Sequence, residues 1–153
     1  MEREELLKKV APCGLLCYTC TAAKDGAVQA HSQALVRLLE SFDGFAEQFS
    51  VHEPRLRKYP DFKEVLRLFN EASCEGCRGG DCKFPGCPVW PCIKEKGYDF
   101  CFECEAFPCE EVDSESTLKA KWVRANKRMR EVGVEDYFNE VKADSHYVYP
   151  NVA

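Results

Sequence analysis

Eleven cysteines stand in a chain of 153 residues, and most fall into tight groups: Cys13, Cys17 and Cys20, then Cys74, Cys77, Cys82, Cys87, Cys92, Cys101, Cys104 and Cys109. Thiolates two to four residues apart on a turn can converge on one ion, whereas cysteines that close seldom meet unstrained disulfide geometry. The pattern predicts metal ligation. Cys74-Glu-Gly-Cys77 reads as a metal knuckle, in which both sulfurs face one ion, backbone N–H groups turn toward them and Gly76 eases the bend. Cys101-Phe-Glu-Cys104 reads as a second.

Eight of the cysteines lie between Cys74 and Cys109, enough for two tetrahedral sites, so counting alone leaves the partition open. Nearness in sequence favours Cys74, Cys77, Cys87 and Cys92 as one site. Cys101, Cys104 and Cys109 would form another with one or more of Cys13, Cys17 and Cys20. For Cys82 a small apolar packing role is a reasonable alternative. Zinc, two ions per chain, is the expected metal; an Fe–S cluster is the alternative, because thiolates suit both. The Cys13-x3-Cys17-x2-Cys20 spacing is also the one with which radical S-adenosylmethionine enzymes hold a [4Fe–4S] cluster. Those enzymes need a large α/β barrel, and the residues that follow here show no alternation of strands and helices.

The compartment matters for reading thiols. Met1-Glu-Arg-Glu-Glu5 is acidic where a signal peptide would be basic, no apolar run is long enough to span a bilayer, and no Asn-x-Ser/Thr acceptor occurs. These features predict a cytoplasmic protein with no membrane association, where thiols stay reduced; an odd cysteine total also fits a closed disulfide framework poorly. With 45% hydrophobic and 12% aromatic residues, the 17.5 kDa chain can bury a core of its own and is expected to form one domain over residues 1–153. The formal charge is −5. Two four-thiolate Zn(II) sites would deepen it to about −9, an acidic balance that opposes nucleic-acid binding.

Helices must position these ligands. Between the two cysteine groups, Val28, His31, Leu35, Leu38, Leu39, Phe42, Phe45, Ala46 and Phe49 share one stripe of a helix that Asp25 or Gly26 starts. A polar break from Ser50 to Tyr59 precedes a helix opening at Pro60-Asp61, with Phe62, Val65, Leu66, Phe69 and Ala72 at helical spacing. Five Gly and four Pro between Cys74 and Cys109 argue against long elements there. Beyond Cys109 the helical period returns at Leu118, Trp122, Ala125, Met129 and Val132, with Asp113 or Ser114 as cap and Gly133 as stop. A short amphipathic element follows at Val134, Tyr137, Phe138 and Val141.

Other candidates are bland. His31 sits on the apolar stripe and reads as a core histidine rather than a fourth ligand; His52 and His146 lie in polar stretches and read as solvated. Lys119, Lys121, Arg124, Lys127, Arg128 and Arg130 make a basic run without an acidic residue, which reads as a solvated face more readily than as a phosphate grip. No Ser/His/Asp order, phosphate-binding loop or paired acid/base carboxylates stands out, so nothing argues for an enzyme. Gly79-Gly80 reads as a turn.

The segments Ala11-Pro-Cys-Gly-Leu-Leu-Cys-Tyr-Thr-Cys20, Cys74-Glu-Gly-Cys77, Cys92-Ile-Lys-Glu-Lys-Gly97, Cys101-Phe-Glu-Cys104-Glu-Ala-Phe-Pro-Cys109 and Met129-Arg-Glu-Val-Gly133 resemble a prokaryotic cysteine-rich family of unknown function, the one numbered 3795. The resemblance covers nearly the whole chain. It implies a small metal-binding domain with Cys13, Cys17, Cys20, Cys74, Cys77, Cys87, Cys92, Cys101, Cys104 and Cys109 as ligands, and leaves Cys82 as an addition. The expected architecture is mainly α, a small helical domain with an irregular cysteine-rich metal-binding lobe. The expected role is a zinc-stabilised module that meets a protein partner. A redox or metal-handling protein and a nucleic-acid binder using residues 119–130 are the alternatives.

Overall fold

The computed structural model describes residues 1–80, 82, 86–110, 112 and 117–147. The fold is mainly α. Its α-helices are α1 (Arg3–Lys9), α2 (Ala27–Leu38), α3 (Asp43–Phe49), α4 (Tyr59–Asn70), α5 (Val89–Lys96), α6 (Thr117–Val132) and α7 (Val134–Val141). Short 3₁₀ turns at Cys17–Thr19, Cys77–Gly79 and Cys101–Glu103 carry cysteines. Among the described residues, no helix is long and apolar enough to cross a membrane.

Two apolar clusters organise the cysteine-bearing half. In the first, Leu6 and Val10 of the N-terminal segment pack with Leu16, Phe100, Ala125, Met129, Tyr137 and Phe138. This places α1, α6 and α7 around the two segments that carry Cys13 and Cys101. In the second, Val89 and Ile93 of α5 pack with Cys101, Phe107 and Trp122, and Cys13, Cys87 and Cys109 pack at its margin. The helices after Cys109 form as expected from periodicity: Trp122, Ala125 and Met129 are buried on one face of α6, and Gly133 ends it with its N–H on the Met129 carbonyl. The proposed caps Asp113 and Ser114 lie outside the described residues. The first helix, α1, is not foreseen by the sequence reading, and α5 is a two-turn helix inside the Gly- and Pro-rich stretch.

The central helices depart from expectation in two ways. The stripe from Val28 to Phe49 is divided between α2 and α3, with a turn at Leu39–Phe42. Ser41, Asp43 and Gly44 all disfavour a helix interior, so the chain breaks where propensity is weakest. The buried face also differs. Gln29, buried, accepts from the Asp25 N–H at 2.8 Å and donates to the Asn70 and Ala72 carbonyls at 3.0 and 2.8 Å. This clamp fixes α2 against the end of α4 on its polar side. Apolar positions are left at the surface: Leu38 is 80% exposed, Phe45 53% and Leu68 67%. His31 is exposed on α2, not a core residue.

Candidate metal centre

The three cysteine-bearing segments are brought together by backbone pairing. The Cys74 N–H donates to the Ala22 carbonyl at 2.9 Å and the Lys24 N–H to the Cys74 carbonyl at 3.0 Å, a parallel bridge that lays the first knuckle alongside the Cys17–Cys20 turn. The Cys101 N–H donates to the Pro12 carbonyl at 3.1 Å, setting the second knuckle beside Cys13. The Cys17–Cys20 and Cys101–Cys104 turns close on themselves, the Cys20 N–H bonding the Cys17 carbonyl at 3.0 Å and the Cys104 N–H the Cys101 carbonyl at 3.1 Å; just past the first knuckle the Gly80 N–H bonds the Cys77 carbonyl at 3.1 Å. At the first knuckle the Gly76 N–H donates to the Cys74 sulfur at 3.4 Å, the N–H···S contact its spacing implies. Gly76 has φ +79°, and a Cβ there would lie 3.9 Å from the Cys17 sulfur, so that sulfur faces the knuckle directly.

The sulfurs fall into two groups. Cys13, Cys17, Cys20, Cys74, Cys77, Cys82 and Cys87 line one cavity of about 1260 Å³. Cys92, Cys104 and Cys109 surround Cys101 closely enough to act on its ionisation. The sequence reading grouped Cys92 with Cys74 and Cys77; here Cys92 stands with the second knuckle, Cys17 and Cys20 line the cavity of the first, and Cys13 lies beside both. Among the described residues, no three His, Cys, Asp or Glu side chains are drawn together closely enough to hold an ion as they stand. Ligation therefore requires side-chain rotation of cysteines the backbone has already gathered.

The electrostatics suit a cation. Burial, with neighbouring sulfurs adding to it, pushes the Cys13 and Cys17 thiols up to about 12, and Cys77 is raised for the same reasons. Burial likewise lifts Cys101 to about 11, opposed by the nearby Trp122 indole N–H, which is buried without a hydrogen-bond partner among the described residues. Thiols gathered away from water hold their protons unless a positive charge replaces them, and a coordinated metal ion supplies that charge. Cationic side chains already lean toward each group: Arg78 toward Cys17, Cys77 and Cys13, and Lys96 toward Cys104, whose sulfur its ammonium meets at 3.7 Å. The donor set thus fits a thiolate-bound metal.

Several residues that hold this framework carry no sequence signal. The Arg78 guanidinium donates to the Leu7, Val10 and Asp99 carbonyls at 2.6, 2.8 and 2.5 Å, and lies over the Phe100 ring at 5.0 Å. It ties the first knuckle to the end of α1 and to the approach to Cys101. Asn126, fully buried on α6, accepts from the Phe102 N–H at 3.0 Å and donates to the Trp122 carbonyl at 3.0 Å, fixing the second knuckle to that helix. The Tyr147 hydroxyl reaches the Thr21 N–H at 3.1 Å and the Cys20 sulfur at 3.6 Å. His146 is half-buried, its Nδ1 at 2.8 Å from the Leu16 carbonyl, rather than solvated. Only contact across the folded chain reveals these roles.

The basic run on α6 is largely engaged within the molecule. Arg128 pairs with Glu140 and Glu131, Arg130 donates to the Phe102 carbonyl at 2.7 Å, and Lys121 donates to the His146 carbonyl at 2.8 Å.

The model of the family described as Protein of unknown function (DUF3795) matches residues 9–114, and the chain belongs to that family. The match takes in all eleven cysteines and ends before α6, so Met129–Gly133 lies outside it. No curated protein and no solved structure matches the chain.

Proposed function

We propose that this protein is a cytoplasmic metal-binding module, with zinc as the metal, in which thiolate centres hold together segments far apart in sequence and present the helical surface to a protein partner. The observation that carries this reading is the gathering of seven sulfurs from the Cys13–Cys20 and Cys74–Cys87 segments around one cavity, with Arg78 beside them. A closed set of thiolates fixes surface loops and takes no part in chemistry. One centre draws on Cys17, Cys20, Cys74 and Cys77, the other on Cys92, Cys101, Cys104 and Cys109, and Cys13 and Cys87 lie between them. Support for a protein partner comes from the α2 to α4 region, where the large apolar side chains Leu38, Phe45, Val51 and Leu68 are exposed.

A second reading is an Fe–S cluster at the first centre, since seven cysteines line that cavity, more than one four-coordinate ion takes, and thiolates suit both metals. Metal analysis and an absorption spectrum of anaerobically purified protein separate the two. A colourless protein with about two Zn per chain supports the zinc reading; a brown, iron-containing protein replaces it; a protein free of both metals ends the metal proposal.

A further inference from the structure

We propose that the α2–α4 helix pair docks on the same pair of a second copy of this chain, forming a two-fold dimer. This rests on the reading above that a protein partner meets this surface, and it says which protein. The Gln29 bonds to the Asn70 and Ala72 carbonyls set the start of α2 against the end of α4, so the two helices run antiparallel. Gln29 and Ser32 on α2 and Tyr59 and Leu66 on α4 are buried, which marks the sides the helices turn toward each other. At about 100° per residue, Leu35, Leu38, Phe62, Val65 and Leu68 are all rotated from those sides in the same sense, by about 110° on average. Equal rotation on antiparallel helices puts both sets on one side of the pair. All five side chains are exposed there.

The area and the charge of this side point to its occupant. Five such side chains leave on the order of 500 Å² open, which is the apolar share of a standard interface of about 800 Å² per partner. The other helices of the cysteine-bearing half are committed elsewhere, α1, α6 and α7 to the first apolar cluster and α5 to the second. Asp61 is the one charged residue that the same rotation places among the five, so a partner recognised by charge finds little to pair with. From Leu35 to Glu71 the chain has six basic and seven acidic residues, so twin copies meet here without the repulsion that the −5 of the whole chain would impose. Two antiparallel helices with one bare apolar side are half of a four-helix arrangement. A second copy carries the matching half, and a two-fold axis makes one patch serve both sides of the contact.

Sedimentation equilibrium of the full chain, kept under reductant so that no intermolecular disulfide forms, tests the dimer from about 1 to 100 µM, the range that spans a micromolar Kd. The expected mass rises with concentration toward twice the 17.5 kDa of the chain. Leu38→Glu and Leu68→Glu change exposed positions, so far-UV circular dichroism should stay that of the wild type. Each should weaken association at least roughly tenfold, because docking buries the new carboxylate against apolar side chains. Hydrogen exchange gives a second readout that needs no variant: at the higher concentration, amides of α2 and α4 should gain more protection than amides of α6. Equal exchange at the two concentrations, or a dimer that both variants leave intact, overturns the inference. A mass of one chain at every concentration also overturns it and leaves this side to a different protein. Co-sedimentation of that monomer with phosphatidylcholine vesicles assigns the side to lipid and removes the protein-partner reading as well.

Discussion

Gly14 and Ala125 meet so closely that a Cβ built on Gly14 would lie 2.5 Å from the Cβ of Ala125. The Cys13–Cys17 loop is therefore seated on α6 at a point where only glycine fits, and its φ of +81° adds a second reason. The buried Tyr137 hydroxyl reinforces the seat from α7, donating to the Gly14 carbonyl at 2.9 Å. Gly14→Ala should cost about 2–4 kcal/mol, from left-handed strain and overpacking together. Urea denaturation measures it; a loss under about 1 kcal/mol would mean the loop lifts from α6 without consequence.

Arg78 should resist even its conservative replacement. Lysine keeps the charge but lacks the planar fork that reaches three carbonyls at once, and at least one of the Leu7, Val10 and Asp99 carbonyls would lose its donor. Arg78→Lys is expected to destabilise by about 1–3 kcal/mol. A midpoint unchanged from the wild type would show that the fork does not hold the first knuckle to α1.

Asn126 supports the second knuckle from inside the core. Asn126→Ala leaves the Phe102 N–H without its acceptor and opens a small cavity, at a cost of about 1–3 kcal/mol. Hydrogen exchange offers a local test: the Phe102 amide should lose protection in the variant more than amides in α4 do. Uniform change across the chain would contradict this.

Metal removal should act on one half of the molecule more than the other. A structural zinc contributes on the order of 10 kcal/mol to a small domain, comparable with the domain's whole stability. Chelation is expected to abolish exchange protection from Cys74 to Cys109, while α2 and α4 keep theirs, because Gln29 ties them without any cysteine. Cys77→Ser should resemble chelation. Native protection throughout the stripped protein would show that apolar packing alone orders the cysteine-rich half.

Nucleic acid should not bind at physiological salt. Binding by the basic face would be steeply salt-dependent through counterion release, but Arg128, Arg130 and Lys121 are engaged with carboxylates or carbonyls and the chain carries −5 overall. A gel-shift titration that found tight, salt-sensitive association would reverse this expectation.

The sequence by itself determined the helical class, the α4, α6 and α7 helices and the knuckle turns, because each is a local pattern. Phe69 and Leu66 recur at helical spacing, Gly133 stops α6, and two residues between cysteines set a turn. It also marked the cysteines as one chemical set, since thiols at such spacing have few other uses. Periodicity was misleading where a long-range polar contact outweighed it: Gln29 draws the polar side of α2 inward by bonding the end of α4, and Leu38 faces out as a result. Which sulfur stands beside which was decided only by tertiary structure. The Cys74 bridge to Ala22 and Lys24 and the Cys101 bond to Pro12 are contacts across 50 residues and more, and chain spacing carries no record of them.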